Sequence, residues 1–247
     1  MECPWDSFRQ SELVFCEDNR CAWIREPANT WSNLAYVAAG IYITVALGRR
    51  TDRPLLRMLA LVAVATGVGS GFYHASGIYW GMLADYGGMF LGTAALTALN
   101  LRRWLGWGGP AVWGALATTT AVLLGAAVMF PGSERHIFMV AMPCCLIELR
   151  LYFRDRRSTS YRFYGLAWAS VAIGTAFWML DLTRVWCAPS NHLVNGHALW
   201  HVATAGSLVL YFHHYLQFGS LREAQPLRER AGVAARLLTP AVPPRAL

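Results

Sequence analysis

The run MLALVAVATGVGSGFYHASGIYWGMLA (58–84) contains no Asp, Glu, Lys or Arg. A hydrocarbon core of ~30 Å is crossed by ~20 apolar residues as α-helix, because in lipid each backbone N–H and C=O must be bonded within the segment itself. The same lack of charge extends over 27–48, 86–101, 104–133, 163–180 and 185–221, where only His interrupts. The segment 136–153 is weaker: Glu148 and Arg150 sit toward its end, and Pro143 is expected to kink it. The pattern predicts an all-α, polytopic membrane protein of seven transmembrane helices, near 32–48, 56–75, 82–100, 110–130, 135–153, 163–182 and 196–216. Residues 1–31 then form an acidic extramembrane segment, 32–216 one membrane domain, and 217–247, with Pro240, Pro243 and Pro244, a flexible cytoplasmic tail.

Composition agrees. Of 247 residues, 55% are hydrophobic and 14% charged, against roughly 25% charged in soluble domains. That excludes an ordinary soluble enzyme and a disordered chain. The net charge of +7 comes from Arg alone, there being no Lys. Arg49, Arg50, Arg53, Arg57, Arg102, Arg103, Arg150, Arg154, Arg156, Arg157 and Arg162 fall in loops of one face, and five more Arg follow in 219–247. The opposite loops hold Arg135 and Arg184. Positive charge collects on the cytoplasmic side, so the N-terminus is expected outside or in a lumen and the C-terminus in the cytoplasm. The basic balance then needs no nucleic acid to explain it, and no obligate protein partner is evident. Residues 1–15 lack an apolar run after a basic start, so the first span is expected to act as its own insertion signal.

Ionisable side chains inside lipid are costly and mark function or tight pairing. His74 falls near the outer end of the second expected helix and Asp85 near the outer start of the third. His197 and His201 occupy the outer first turns of the seventh. Four such groups from three helices therefore meet at one depth. His197 and His201 are four apart and share a helix face. Together they can hold one Zn²⁺, with His74 as third ligand and a fourth position open to water, the pattern of a catalytic zinc. Ser70, one turn before His74, and Asp85 can orient that water, take its proton or bond a substrate oxyanion. Packed, hydrogen-bonded histidines are the alternative. His213 and His214 read as interfacial anchors and His136 as having no special role. Glu148 is expected to pair with an Arg at the inner boundary, and Asp181 to cap or face water.

Six of the fourteen acids (Glu2, Asp6, Glu12, Glu17, Asp18 and Glu26) precede residue 33. Glu17, Asp18, Asn19 and Glu26, with Asn29 behind, form an oxygen-rich set that suits Ca²⁺, though it is not an EF-hand. A solvated acidic face is the alternative. Cys3, Cys16, Cys21 and Cys187 all map to the outer face, where disulfides persist. Cys16–Cys187 is the preferred bridge, with Cys21 as rival partner. Cys144 and Cys145 read as small buried apolar residues.

The blocks FCEDN (15–19), E-x-x-N-T-x-S-N (26–33), S-G-F-Y-H (70–74), Asp85 and N-G-H-A-L-W-H (195–201) resemble the alkaline ceramidases, within a wider group of seven-helix membrane hydrolases built on a Ser, an Asp and three His. Order and spacing agree from residue 14 to about 215. The resemblance implies a hydrolase that cleaves the N-acyl bond of ceramide, drawn from the bilayer, to a sphingoid base and a fatty acid. It implies zinc on His74, His197 and His201, with Ser70 and Asp85 beside it as oxyanion donor and general base. It also implies calcium on the side chains of Glu17, Asn19 and Glu26 and the backbone carbonyls of Val14 and Phe15. Relatives often carry Asp-Trp where this chain has Val-Phe. A related hydrolase of another lipid, a zinc-containing seven-helix receptor and a metal or proton transporter are the competing readings. Acids gathered at one end disfavour the transporter.

Overall fold

The structure, a computed structural model, describes residues 3–48 and 54–218. Arg49, Arg50, Arg53 and all of the expected tail beyond Phe218 lie outside the described residues. Among those described the chain is helical: α1 (Pro27–Ser32), α2 (Leu34–Leu47), α3 (Arg57–Ser76), α4 (Tyr79–Leu105), α5 (Gly109–Met129), α6 (Glu134–Ala141), α7 (Ile147–Asp155), α8 (Arg162–Leu182) and α9 (Gly196–Tyr215). Pro27 starts α1, where its missing N–H costs nothing. Gly77 (φ +70°) and Gly106 (φ +72°) close α3 and α4 in the left-handed conformation that favours glycine. Asn195 caps α9, its side-chain oxygen accepting from the Ala198 N–H at 2.7 Å.

Among the described residues, five helical segments are long and apolar enough to cross a membrane: Pro27–Leu47, Pro54–Ser76, Tyr79–Leu105, Gly109–Met129 and Arg162–Leu182. The first of these segments starts at Pro27, before the expected start at 32. The third begins at Tyr79, which moves Asp85 into the second turn of α4. The expected fifth span is not one helix: α6 and α7 are separated by a 3₁₀ stretch, Met142–Leu146, around Pro143. The freed Cys145 carbonyl there accepts from Asn100 Nδ2 (3.1 Å) and Tyr164 Oη (3.3 Å), so neighbouring helices satisfy what the break exposes.

The helices pack as neighbours α2–α3–α4–α5 and α8–α9, with α9 closing back on α2. Where lipid surrounds a bundle, apolar side chains gain little by leaving it for a partner helix, and small residues that let backbones approach set the packing. A Cβ on Gly69 would lie 2.6 Å from the Ala84 carbonyl oxygen, and one on Gly88 2.6 Å from Thr66 Cα. These two glycines lock α3 against α4 at the depth of Ser70 and Asp85.

At the opposite end, Glu148 on α7 is fully buried and accepts from the Arg103 guanidinium, as expected, and from His214 Nε2 at 3.4 Å. His214 is thus a correction: it is completely buried in this network and not an interfacial anchor. His213 bonds the Tyr42 hydroxyl at 2.9 Å, and His136 is exposed. Two disulfides are present, Cys3–Cys21 and Cys16–Cys187. The second ties the N-terminal segment to the loop before α9. Cys21 thus pairs with Cys3, a bridge not anticipated, and Cys145 is buried.

Candidate metal centre

Rigid elements position the site. α3 presents Ser70 and His74 on one face, α4 presents Asp85, and the first turns of α9 present His197 and His201. All five side chains are buried. The ligating atoms of the three histidines lie within 4.8 Å of one another, a group able to hold a metal ion.

Hydrogen bonds fix which nitrogen faces inward. Glu26 Oε2 lies 2.6 Å from His74 Nδ1. A carboxylate only accepts, so that nitrogen carries the proton and His74 Nε2 keeps its lone pair. Ser32 Oγ donates to the Asn29 carbonyl (3.0 Å) and lies 2.8 Å from His201 Nδ1; with that hydroxyl accepting, Nδ1 carries the proton and His201 Nε2 keeps its lone pair. His197 Nδ1 is buried with no partner, while its Nε2 stands 3.1 Å from His74 Nε2. Two nitrogens on one tetrahedral zinc at ~2.05 Å lie ~3.3 Å apart, close to that separation. Two Nε2 lone pairs held by outside acceptors, with a third buried imidazole against them, fit a metal ion.

Sequence reading missed the groups that hold this set in place. Glu26 and Ser32 orient two ligands from the N-terminal segment and α1. Asp181 was expected to cap or face water; it is a cap, wholly buried. Its oxygens accept from the Cys16 N–H (2.9 Å) and the His197 N–H (3.2 Å), so it pins the start of α9 to the N-terminal segment. The Phe15 ring then lies over the His197 ring, centroids 4.0 Å apart.

Asp85, Ser70, His197 and His201 line one small pocket together with Phe15 and Trp178. Ser70 Oγ is 3.4 Å from His201 Nε2, and Ser70 and Asp85 share the wall of this pocket. Tyr36, Thr66, Met89 and Trp200 continue from this pocket into an apolar cavity of about 90 Å³ that reaches Leu96 and Leu208. A buried polar cluster thus opens on space suited to hydrocarbon.

The residues anticipated for calcium are placed differently. Val14, Asn19 and Glu26 line a cavity of about 110 Å³ beside the Arg25 side chain, and Glu17 is not in its wall. Both Glu17 oxygens are committed: Oε1 accepts from the Ala28 N–H (2.9 Å) and His192 Nδ1 (2.8 Å), Oε2 from the Asn29 N–H (3.0 Å) and Asn195 Nδ2 (3.3 Å). Of the Glu26 oxygens, Oε2 accepts from His74 Nδ1 and Asn29 Nδ2. The Phe15 carbonyl accepts from Arg184. Glu17 therefore sits where the N-termini of α1 and α9 converge, a setting that favours an anion and opposes a cation. The five anticipated donors are therefore split: Val14, Asn19 and Glu26 share the wall of one cavity, and Glu17 and Phe15 lie outside it.

A family model described as Ceramidase matches residues 8–240. No individual curated protein matches the chain.

Proposed function

Because the chain belongs to the ceramidase family, we propose that this ceramidase-type amide hydrolase is zinc-dependent and cleaves the N-acyl bond of ceramide to a sphingoid base and a fatty acid. The observation that carries the reading is the convergence of three imidazoles from two helices, with Asp85 and Ser70 beside them, at the mouth of an apolar cavity. Three neutral imidazoles with one open position suit zinc. What zinc supplies when bound is Lewis-acid polarisation of the amide carbonyl and a lowering of the pKa of water toward ~7.

The chain's own residues do the rest. The apolar cavity holds hydrocarbon and so fixes the amide at the pocket. Asp85 takes a proton from the attacking water and returns it to the departing nitrogen. Ser70 orients Asp85 and offers its hydroxyl to the oxyanion that develops on the carbonyl. Glu26, Ser32 and Asp181 hold the imidazoles so that none of them must reorganise during turnover. No step of this reading is assigned to calcium.

The same reading takes the α1–α2 rod, α3, α4, α5, the broken α6–α7 pair, α8 and α9 as seven membrane passes. Both disulfides lie at the histidine end, which supports placing that end and the N-terminus in an oxidising compartment.

Purified protein incubated with ceramide tests the proposal. Fatty acid release should require bound zinc, stop with a zinc chelator, and persist with a calcium-selective one. Asp85→Asn should lower kcat at least about a hundredfold while zinc content stays unchanged. Full activity after complete zinc removal, or in Asp85→Asn, would falsify the mechanism.

A further inference from the structure

Three cavities follow one another down a single face of α4. Tyr79, Met82 and Tyr86 line an outer cavity of about 210 Å³. Asp85, Tyr86 and Met89 line the metal pocket, and Met89, Thr93 and Leu96 line the apolar cavity. Steps of three and four residues keep this stripe on one side of the helix, and from Tyr79 to Leu96 it covers ~25 Å at 1.5 Å per residue. Leu13 and Tyr86 belong to both the outer cavity and the metal pocket, so the two spaces share a wall.

The outer cavity differs in kind from the inner one. Its wall carries Arg9 and Glu12 from the N-terminal segment and Glu134 and Arg135 from the start of α6, whereas no Asp, Glu or Arg lines the apolar cavity. Glu134 is 3% exposed, and its Oε1 accepts from the Gly132 N–H at 3.1 Å. The Arg9 guanidinium lies over the Tyr79 ring, 3.9 Å from its centroid, which holds a donor-rich group at the rim.

We infer that the outer cavity is the subsite for the polar head of the lipid: the hydroxylated end of an amino-alcohol amide and, after cleavage, its ammonium, with Glu134 as charge partner. This rests on the amidase reading. With the chains in the apolar cavity and the scissile carbonyl at the histidines, the hydroxyls cannot follow the chains, because buried there they would lose their hydrogen bonds. The charged cavity on the other side of Tyr86 offers both donors and acceptors. Hydrolysis breaks the C–N bond, adds OH to the acyl carbon and H to the nitrogen. The acid then yields its proton to the amine, leaving a carboxylate and an ammonium. A buried carboxylate next to the pocket meets the second of these products.

The test uses full-length protein in detergent with three ligands: ceramide, the same lipid without its terminal hydroxyl, and the free sphingoid base as inhibitor. Wild type should prefer the hydroxylated lipid. Glu134→Gln should weaken inhibition by the base about tenfold, the worth of one charge-assisted hydrogen bond. The variant should also erase the preference through KM, with kcat on the deoxy-lipid and zinc content held within twofold. Unchanged inhibition and preference in the variant overturn the inference. Should wild type cleave neither lipid, it is the amidase reading that fails. Should Glu134→Gln not fold, Arg9→Gln at the exposed rim must blur the same preference, or the inference is lost.

Discussion

At the scale of single residues, the centre is defined less by the histidines than by what each one leans on. A metal ligand needs its second ring nitrogen protonated and its plane fixed, and removal of the group that does this costs metal affinity without touching the metal. His74 leans on Glu26 and His201 on Ser32, whereas His197 has no polar partner for Nδ1 and is held by its backbone and by the Phe15 ring. Glu26→Gln should therefore weaken zinc binding about 10- to 100-fold, and Ser32→Ala toward the lower end of that range. Competition against a chromophoric chelator measures both. Restoration of the Glu26→Gln enzyme by added calcium, with zinc affinity unmoved, would return Glu26 to the calcium role that its sequence position suggested.

At the scale of elements, the start of α9 is the joint on which the ligand geometry depends. Gly196 precedes His197, and a Cβ there would overlap the Phe177 carbonyl oxygen and come within 2.9 Å of Asp181 Cβ. Gly196→Ala must push α9 off α8 at the turn that carries His197, costing about 1–3 kcal/mol as overpacking does and loosening the metal. Gly206→Ala is the control on the same helix: its Cβ would meet only Ser170 Oγ at 3.9 Å, so it should be neutral or slightly stabilising. Thermal melts of the two variants with and without zinc separate them, and equal behaviour would mean that the α8–α9 approach does not set the site. This joint also shows where sequence reading stops. Ser70, His74, Asp85, His197 and His201 were legible because helical spacing and depth are local properties of a sequence. Glu26, Ser32 and His192 were not, because their roles arise from contacts with segments far away along the chain. Glu26 in particular sits among acids whose composition reads as an ion site, and its contact with His74 is visible only in the fold. Pro143 announced the break in the expected fifth span, but not that Asn100 and Tyr164 would satisfy it.

Across the whole molecule, polar groups collect at two ends of an apolar bundle, and the two ends do different work. The histidine end joins the buried histidine cluster to cavities on both sides. The other end contains Glu148, buried between the Arg103 guanidinium and His214, with the Tyr215 hydroxyl bonded to Asn100 alongside. α4 and α9 serve both ends. Its burial is the reason His214 could not be read from sequence: a histidine at a helix end looks interfacial until α7 is known to fold across it. A buried ion pair broken on one side leaves an uncompensated charge, and such changes cost about 3–5 kcal/mol. Glu148→Ala should thus lower the melting temperature strongly while zinc content and kcat/KM per folded molecule stay at wild-type values. Arg103→Ala should do the same, and Glu148→Ala with Arg103→Ala together should cost less than the sum, because the second change removes the charge that the first leaves stranded. Strict additivity in that double-mutant cycle, measured by denaturant or thermal unfolding in detergent, would show that the two groups do not act as a pair. A fall in kcat/KM in step with the lost stability would show instead that the two ends of the bundle are mechanically one.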